Sequence, residues 1–444
     1  MTKKLFFMMA ATFGFAAAAS AGGLMTNTNY HIAFDRMMAR GASMEIDAAY
    51  SNPAGLAWGY DGFQMSLDFQ KPWQNRDITY NGVKYEGVAS APIVPALFAS
   101  YKKDRWAISS MIGIVGSGGF VKYDDGVPMF NVVLANMLAQ KGIAPGTYQL
   151  NSEMKGKQYI YGGQLNLTYK VTDWLSVAAG ARANYYDGYY RGHVTAEEHP
   201  LLGTLANLQL DVDQRGWGYT PIVGINFHKG PLTVAARYEF RTKINVPNKT
   251  NDLKAELGPK VVAMLQQTDP ASLAAIAAAL GQKTAAYQDG AETRYDMPAL
   301  LSVAVGYEFE KNFRATLEYH FFDDKHAKMA NNRQEHLTHG THEFLAGVEG
   351  DVNDRWTLSC GVQRTDYGLS DNYQQNTSFA CDSYSIGLGA AYKISDKVRL
   401  NAGYFCSIYD DYEKQCNAAR DGYLGTETYS RTNHVIGLGV DFKF

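Results

Sequence analysis

The sequence predicts an all-β chain: a transmembrane antiparallel β-barrel of about fourteen strands. Three observations predict it. Apolar and polar residues alternate along many segments, tight polar turns alternate with long connections, and tryptophans recur beside the tight turns.

The alternation is plain in three stretches. In "PLTVAARYEF", Leu232, Val234, Ala236, Tyr238 and Phe240 alternate with Thr233, Ala235, Arg237 and Glu239. In "NFRATLEYHF", Phe313, Ala315, Leu317, Tyr319 and Phe321 alternate with Arg314, Thr316, Glu318 and His320. The chain ends "VIGLGVDFKF", with Ile436, Leu438, Val440, Phe442 and Phe444 on one face. Side chains alternate across a strand, so each segment has one apolar and one polar face.

A soluble β-sandwich alternates in the same way, with its apolar face inward. The connections separate the two folds. Tight turns at 102–104, 171–173, 228–230, 310–312, 352–354 and 395–397 alternate with long stretches that include 117–155 and 244–294. Membrane barrels have this asymmetry, with short periplasmic turns and long external loops. Trp106, Trp174 and Trp356 each follow a tight turn, which puts three indoles at one level, as in an interfacial aromatic girdle. Arg182, Arg237, Glu239, Arg314, Glu318, Glu343, Glu349 and Arg399 fall on the polar faces. Such charges are prohibitive against lipid, so they should face the lumen. The terminal Phe444 closes an amphipathic strand, an ending that resembles the signal read by the bacterial outer-membrane assembly machinery. The expected strands are 60–71, 93–102, 105–116, 156–170, 174–191, 213–228, 231–243, 295–309, 313–323, 341–351, 355–366, 380–394, 398–410 and 431–444.

The beginning of the chain sets the compartment. Lys3-Lys4, an apolar run from Leu5 to about Ala18 and then Ala19-Ser20-Ala21 form a secretory signal peptide over 1–21, leaving Gly22 as the mature start. No later window is long and apolar enough for a spanning helix. The formal net charge of -3 gives no sign of a nucleic-acid partner, and 4 cysteines in 444 residues exclude a disulfide scaffold. No composition shift divides residues 60–444, which are read as one barrel. Residues 22–59 contain "DAAYSNPAGLAWG", whose Pro and Gly cannot propagate a strand or helix. A barrel this wide needs filling, and the economical place for 22–59 is inside it, as a hatch. By composition alone, Asn52–Gly55 also reads as an ordinary turn before a strand.

The stretch "GGLMTNTNYHIAFDRMMARGASMEIDAAYSNPAGLAWG" resembles the N-terminal hatch of the FadL/TodX family of outer-membrane transporters of hydrophobic compounds. The matching residues are Arg40, Gly41, Ala42, Asp47, Ala48, Asn52, Pro53 and Ala54, placed between signal peptide and first strand. "DMPALLSVAVGYEFEKNFRATLEYHFFD" is similar to the family's Pro-led strand, turn and strand. The resemblance implies passive uptake of long-chain fatty acids or other hydrophobic molecules in the bacterial outer membrane. It also implies a ligand gate at the hatch N-terminus, here Gly22, Gly23 and Leu24, and a lateral exit at an inward kink of the third strand. Gly113 and Gly116 stand at the corresponding place, where glycine weakens strand pairing.

External capture elements are legible in the loops. Phe130, Val133, Leu134, Met137 and Leu138 recur at helical spacing before Gly142. Asp269-Pro270 reads as N-cap and first helical position, with Leu273, Ile276 and Leu280 on one face before Gly281. These helices either form a hydrophobic capture groove or pack on each other as a cap, and the two are compatible. Arg182 and Arg237 either meet an acidic ligand in the lumen or pair with Glu239 and Glu318.

Three other functions compete. An outer-membrane enzyme would need a nucleophile beside an oriented base, and no Ser or His spacing singles one out, so the chain is not expected to be an enzyme. A haem or metal receptor would use His326, His336, His339 and His342, of which His336 and His339 have ligand spacing only if helical. A nonspecific porin would not need a hatch. No cofactor and no metal are expected, and a hatch-filled single-chain barrel needs no second copy. By alternation Cys360 and Cys406 face lipid, while Cys381 and Cys416 lie near the external rim and could pair.

Overall fold

The structure, a computed structural model, describes residues 30–310 and 312–444. The expected signal peptide and the gate residues Gly22, Gly23 and Leu24 lie outside the described residues.

The strands are β1 (Gly62–Tyr80), β2 (Val83–Tyr85), β3 (Gly87–Ser90), β4 (Val94–Lys103), β5 (Trp106–Tyr123), β6 (Gln149–Lys170), β7 (Leu175–Glu197), β8 (Ala206–Lys229), β9 (Leu232–Glu239), β10 (Asn245–Leu257), β11 (Glu292–Arg294), β12 (Leu300–Phe309), β13 (Phe313–Phe322), β14 (Thr341–Asp351), β15 (Trp356–Asp366), β16 (Ser383–Ser395), β17 (Val398–Tyr409), β18 (Tyr412–Cys416) and β19 (Gly425–Lys443). Several are pieces of one wall strand: β2, β3 and β4 follow one path, as do β9 with β10, β11 with β12, and β17 with β18. The wall is therefore a closed antiparallel barrel of 14 strands. β19 closes it on β1, in register from Gln64↔Lys443 to Tyr80↔Glu427. Closure leaves no unpaired edge in the hydrocarbon, where a bare N–H or C=O costs several kcal/mol.

The side chains follow the strand period with the polarity of a soluble protein inverted. Ser66, Asp68, Gln164, Asn166, Asn184 and Asn226 are buried on the lumen side, whereas Leu165, Leu317, Leu388 and Leu438 are exposed on the outside. The charges Arg182, Arg237, Glu239, Glu318, Glu343 and Glu349 are all buried inward. At the short-turn end, Trp106 packs with Tyr169 at 4.3 Å, Trp174 with Phe227 at 5.5 Å and Trp356 with Tyr392 at 4.7 Å between ring centroids. A second aromatic level includes Trp73 with His434 at 5.7 Å and Tyr185 with Trp217 at 4.8 Å. Ten residues separate Phe63 from Trp73 and Trp217 from Phe227. On tilted strands that spacing spans the ~25 Å apolar band of a barrel.

The long connections contain more structure than the sequence reading assigned. β6, β7 and β8 run past the upper girdle to 149, 197 and 206. There the outward residues are Asn151, Glu153, Arg191, His193, Asp211 and Asp213, and the inward ones, Met154, Tyr190, Val194, Leu208 and Leu210, are apolar, so the polarity of the two faces reverses. The 244–294 stretch is not simply a loop: it holds β10, paired with β8, and two helices. The helices are α1 (Ile32–Met37), α2 (Ala48–Ser51), α3 (Pro128–Gln140), α4 (Pro259–Thr268) and α5 (Pro270–Thr284), with a 3-10 turn at Pro53–Trp58.

The inverted polarity makes a direct prediction. Leu317 is 67% exposed at mid-height on β13. Leu317→Arg should lower the unfolding free energy of the refolded barrel by about 2–4 kcal/mol in a urea titration. Leu317→Phe should leave it nearly unchanged.

The plugged lumen and its wall as candidate functional site

Residues 30–59 lie within the barrel. α1 packs on β14, β15, β16, β17, β19 and β1, and the 3-10 turn packs on β5, β6, β7 and β8. Close approach is possible because the wall is thinned by glycine. A Cβ at Gly347 or Gly361 would collide with the Met37 carbonyl.

Ion pairs fix this segment from the short-turn side. Arg36 is fully buried and donates to Glu349 and Ser359. Arg314 donates to the other oxygen of Glu349, its Nε at 2.8 Å. Arg40 closes on Asp47 through Nε at 2.7 Å and Nη2 at 2.9 Å, and reaches Glu45 at 2.8 Å and Ser43 at 3.0 Å. Glu45 in turn accepts from Arg399 at 2.5 Å. Burial opposes ionisation of Glu45, yet Arg399, then Arg40, Arg314 and Arg36, hold its carboxyl well below the usual range. The Gly41 N–H donates to Glu318 at 2.7 Å.

On the opposite side, Asn52-Pro53-Ala54 is a docking point. The Asn52 carbonyl oxygen caps the 3-10 turn by accepting from the Ala54 N–H at 3.3 Å, and its amide donates to the Ile225 carbonyl at 3.1 Å. Pro53 occupies the first turn, where its missing N–H is harmless. Thr168 donates to the Pro53 carbonyl at 2.8 Å, Ser176 to that of Ala54 at 2.6 Å, and Gln164 and Asn166 to that of Ala49 at 3.1 and 2.9 Å. Gly224 leaves the space that Asn52 fills.

Arg182 and Arg237 are brought together, on Glu239 and the hatch-side Tyr50. Arg182 pairs with Glu239 and donates to Gln164 at 3.2 Å. Arg237 lies 3.3 Å from Glu239 and donates to the Tyr50 carbonyl. Both guanidinium groups lie over the Tyr50 ring, at 5.6 and 5.3 Å. Of the two roles open in the sequence, the geometry fits pairing and bracing of the internal segment.

The wall is interrupted beside this segment. β4 pairs with β5 up to Leu97↔Ile112, and β3 resumes pairing at Ala89↔Val121. Among the described residues no strand register joins 90–96 to 113–120. On its other side β5 stays paired with β6, with register shifts between Ile114 and Gly116 and between Ser117 and Gly119. Gly113 and Gly116 thus sit in a strand that continues to Tyr123, rather than at a strand end. Ala91, Val94 and Ile114 fill the interruption, with Tyr30 and Tyr159 packed against them.

Above the lumen, α3 and α5 share one apolar cluster. Leu134, Leu138 and Leu280 are buried in it, with Phe130, Met137, Leu273 and Ile276 packed alongside and Tyr190, Val194, Leu208 and Phe379 below. The apolar faces turn inward as a cap. Asp269 caps α5 by accepting from the Ser272 N–H at 3.0 Å. The helix runs through Gly281 to Thr284, past the expected stop, where the buried Thr284 hydroxyl donates to the Leu280 carbonyl at 3.0 Å. At the short-turn end the lumen opens to a cavity of about 750 Å³ lined by charged groups, among them Arg40, Glu45, Arg314, Asp351, Lys397 and Arg399.

Several expectations need correction. Cys381 and Cys416 are free thiols buried in separate apolar clusters, so they do not pair. His336 ends a 3-10 turn over Ala330–His336 and His339 lies beyond it, so they share no helix face. His326 is bonded to Asp323 at 2.6 Å and His342 to Tyr319 at 2.8 Å. Among the described residues no group of three His, Cys, Asp or Glu is placed to hold a metal.

Sequence reasoning missed the cluster around His31. The His31 Nδ1 accepts from the Ala33 N–H at 3.0 Å, and its Nε2 lies 3.4 Å from Asp441 and 3.9 Å from Asp68. Asp68 accepts from the Ile32 N–H at 2.9 Å, and Asp35 accepts from Gln70 at 2.7 Å. Burial opposes the imidazolium, and charging the ring gives up the Ala33 bond at Nδ1, but Asp68, then Asp441, raise His31 to about 9. Burial, then Asp68, push Asp35 well above the carboxylate range. No short motif announces this cluster, since its members come from the first and last strands.

Two predictions follow from these contacts. Glu349→Ala leaves Arg36 buried without its counter-ion, costing about 3–5 kcal/mol at that anchor. Trypsin should then cut at Arg36 or Arg40 in a barrel that still migrates as folded. His31 is raised, so its stabilisation is full below pH 6.5 and is lost as pH rises through about 9, while the raised Asp35 costs stability from the ordinary carboxylate range (~4) upward. Tryptic release of the internal segment should therefore accelerate between pH 7 and 10, and Gln70 and Asp441 variants should shift that profile.

Comparison with known proteins agrees with the fold. Residues 254–444 match the family described as outer membrane protein beta-barrel domain. The structure is similar to a Pseudomonas aeruginosa FadL homologue, with a TM-score of 0.67 at 16% identity, covering 95% of this chain and 100% of that one. It is similar to the Pseudomonas putida toluene transporter TodX, with a TM-score of 0.61 at 13% identity over 95% and 100% of the two chains. The Ralstonia pickettii toluene transporter TbuX gives a TM-score of 0.56 at 13% identity over 90% and 94%. No curated protein matches the sequence. The chain is a β-barrel of the bacterial outer membrane with the FadL/TodX fold.

Proposed function

We propose that the protein is a plugged channel that carries uncharged hydrophobic small molecules through the outer leaflet and releases them sideways between β4 and β5. The observation that carries this reading is the interruption of the wall at 90–96 and 113–120, filled by apolar side chains and backed by Tyr30.

Physical chemistry supports a lateral route. A molecule leaving through the short-turn mouth would meet a charged vestibule and water. Exposing apolar surface there costs ~25 cal/mol per Å². A molecule leaving through the interruption passes from the apolar cluster behind it to hydrocarbon. Capture would open the crevice of about 20 Å³ under the cap, lined by Phe130, Met154, Tyr190, Val194, Leu210 and Tyr287. In this reading Phe130, Leu134, Met137, Leu138, Leu273, Ile276 and Leu280 keep the entrance apolar, and Asn52-Pro53-Ala54 anchors the hatch while its N-terminal part yields.

The paired arginines beside the internal segment favour a neutral ligand over a fatty acid at that place. Arg182 and Arg237 are engaged by Glu239 and Tyr50, so a carboxylate would have to displace an existing pair. The solved relatives TodX and TbuX are described as toluene transporters, in keeping with this ligand class.

Cells that express the full chain should accumulate labelled toluene at least about threefold faster than cells with the empty vector, with little gain for labelled oleate. A gain for oleate alone would move the ligand to fatty acids. No gain for either would remove the channel reading.

A further inference from the structure

The wall carries a second interruption, on the other side of the internal segment. β9 pairs with β8 up to Ile222↔Glu239, and β10 resumes at Asn248↔Gln214. Among the described residues no strand register joins 215–221 of β8 to 240–247, and the Phe240 N–H bond to the Pro221 carbonyl at 3.0 Å marks its lower end. The 240–247 segment keeps its other neighbour: Thr242 bridges Met297, and Asn245 pairs with Arg294. It has therefore moved inward together with that neighbour. Its backbone lies on the lumen face of β8, where a Cβ on Gly216 would strike the Asn245 carbonyl and one on Gly218 would lie 2.9 Å from the Lys243 carbonyl.

Two further observations mark the step as a passage. On the lumen side, Ile244, Val246, Tyr295 and Met297 belong to one apolar cluster with Ala49, Tyr50 and Leu56 of the internal segment. That cluster also contains Ala96, Met111 and Val115, so it runs across the lumen from the first interruption to the second. On the lipid side, an apolar groove of about 580 Å³ lies just below the step, with Val223, Ile225, Ala236, Tyr238 and Leu301 in its wall. Above it Trp217 and Tyr219 stand 60% and 69% exposed. A barrel wall in hydrocarbon normally satisfies its backbone by an unbroken ladder, so a break beside an apolar lumen and an apolar outer groove is a place where molecules can cross.

We propose that the seam between β8 and 240–247 is a second lateral passage for uncharged hydrophobic molecules, joining the lumen to the membrane hydrocarbon through the groove at Val223–Ile225. The proposal rests on the channel reading above. The ligand class follows from the lining, which offers no free cation to an acid at the groove and admits a compact apolar molecule.

Two engineered disulfides separate the routes. Ala96→Cys with Gly113→Cys closes the first interruption: a Cβ on Gly113 would lie 3.4 Å from that of Ala96, close to disulfide spacing. Thr220→Cys with Thr242→Cys closes the second, since these hydroxyls already touch across the seam. Cys360 and Cys406 are changed to Ala, and bond formation is checked by mass spectrometry. Each protein is reconstituted in lipid vesicles, and toluene transfer is compared oxidised and reduced, the reduced form serving as the folding control. With the first lock oxidised, about a third to a half of the reduced rate should remain. With both locks oxidised, the rate should fall at least about tenfold and recover with reductant. Loss of all transfer with the first lock alone, or no further loss on adding the second, overturns the second passage. Absence of transfer by the unmodified protein overturns the channel reading itself.

Discussion

Hydrocarbon supplies no hydrogen-bond partner, and this one constraint organises the molecule. Every backbone group in the membrane band must be paired within the protein, so the sheet closes, β19 on β1, and the strands tilt and alternate around it. Once the wall is closed, its outward residues must be apolar and its inward residues are released to be polar. The same constraint makes each interruption conspicuous. Among the described residues two stand out, at 113–120 and at 215–221, and both are backed on the lumen side by buried apolar residues.

The lumen would hold water if it were empty, and the N-terminal segment occupies it through two kinds of contact. Toward the short turns it is held by charge: Arg36 with Glu349, and Arg40 with Asp47 and Glu45. Toward the β6–β8 wall it is held by its own backbone carbonyls, which accept from Gln164, Asn166, Thr168 and Ser176. Buried ion pairs of this kind add little net stability over apolar packing, but breaking one partner is expensive. They therefore specify where the segment sits more than how tightly the barrel folds. Between the two anchors lie Ala48, Ala49, Tyr50 and Leu56, which join the apolar cluster that reaches both interruptions. A displacement of this segment would change the packing behind both interruptions at once.

The charged lumen also shapes ligand choice. Arg182 and Arg237 are matched by Glu239 and the Tyr50 carbonyl, so an acidic guest finds no ready counter-ion at that pair, whereas among the described residues Arg431 meets only the Tyr409 ring. The charged vestibule at the short-turn end and the apolar fill at the wall sort a ligand by solvation: water-soluble groups toward the mouth, hydrocarbon toward the sides.

The sequence by itself determined the barrel. A period of two, tight turns with tryptophan beside them and charge confined to one face each reflect the two solvents that a strand separates, and each can be read locally in segments such as Leu232–Glu239 or Phe313–Phe322. The local rule failed where one of the solvents changed. Above the membrane band the polarity reverses: Val194, Ala196, Leu208 and Leu210 turn inward under the cap while Arg191, His193 and Asp211 face out, so the rule of an apolar outer face no longer marked the strands to Glu197 and Ala206. Only the tertiary structure decided the site. His31 meets Asp68 and Asp441, Arg36 meets Glu349, and Ile244 reaches the lumen side of Gly216, because barrel closure and the inward step bring together residues from separate strands and the internal segment. A sequence pattern records which face a residue takes. It does not record which strand loses its ladder, since that depends on the register of two neighbours and on what fills the space behind them.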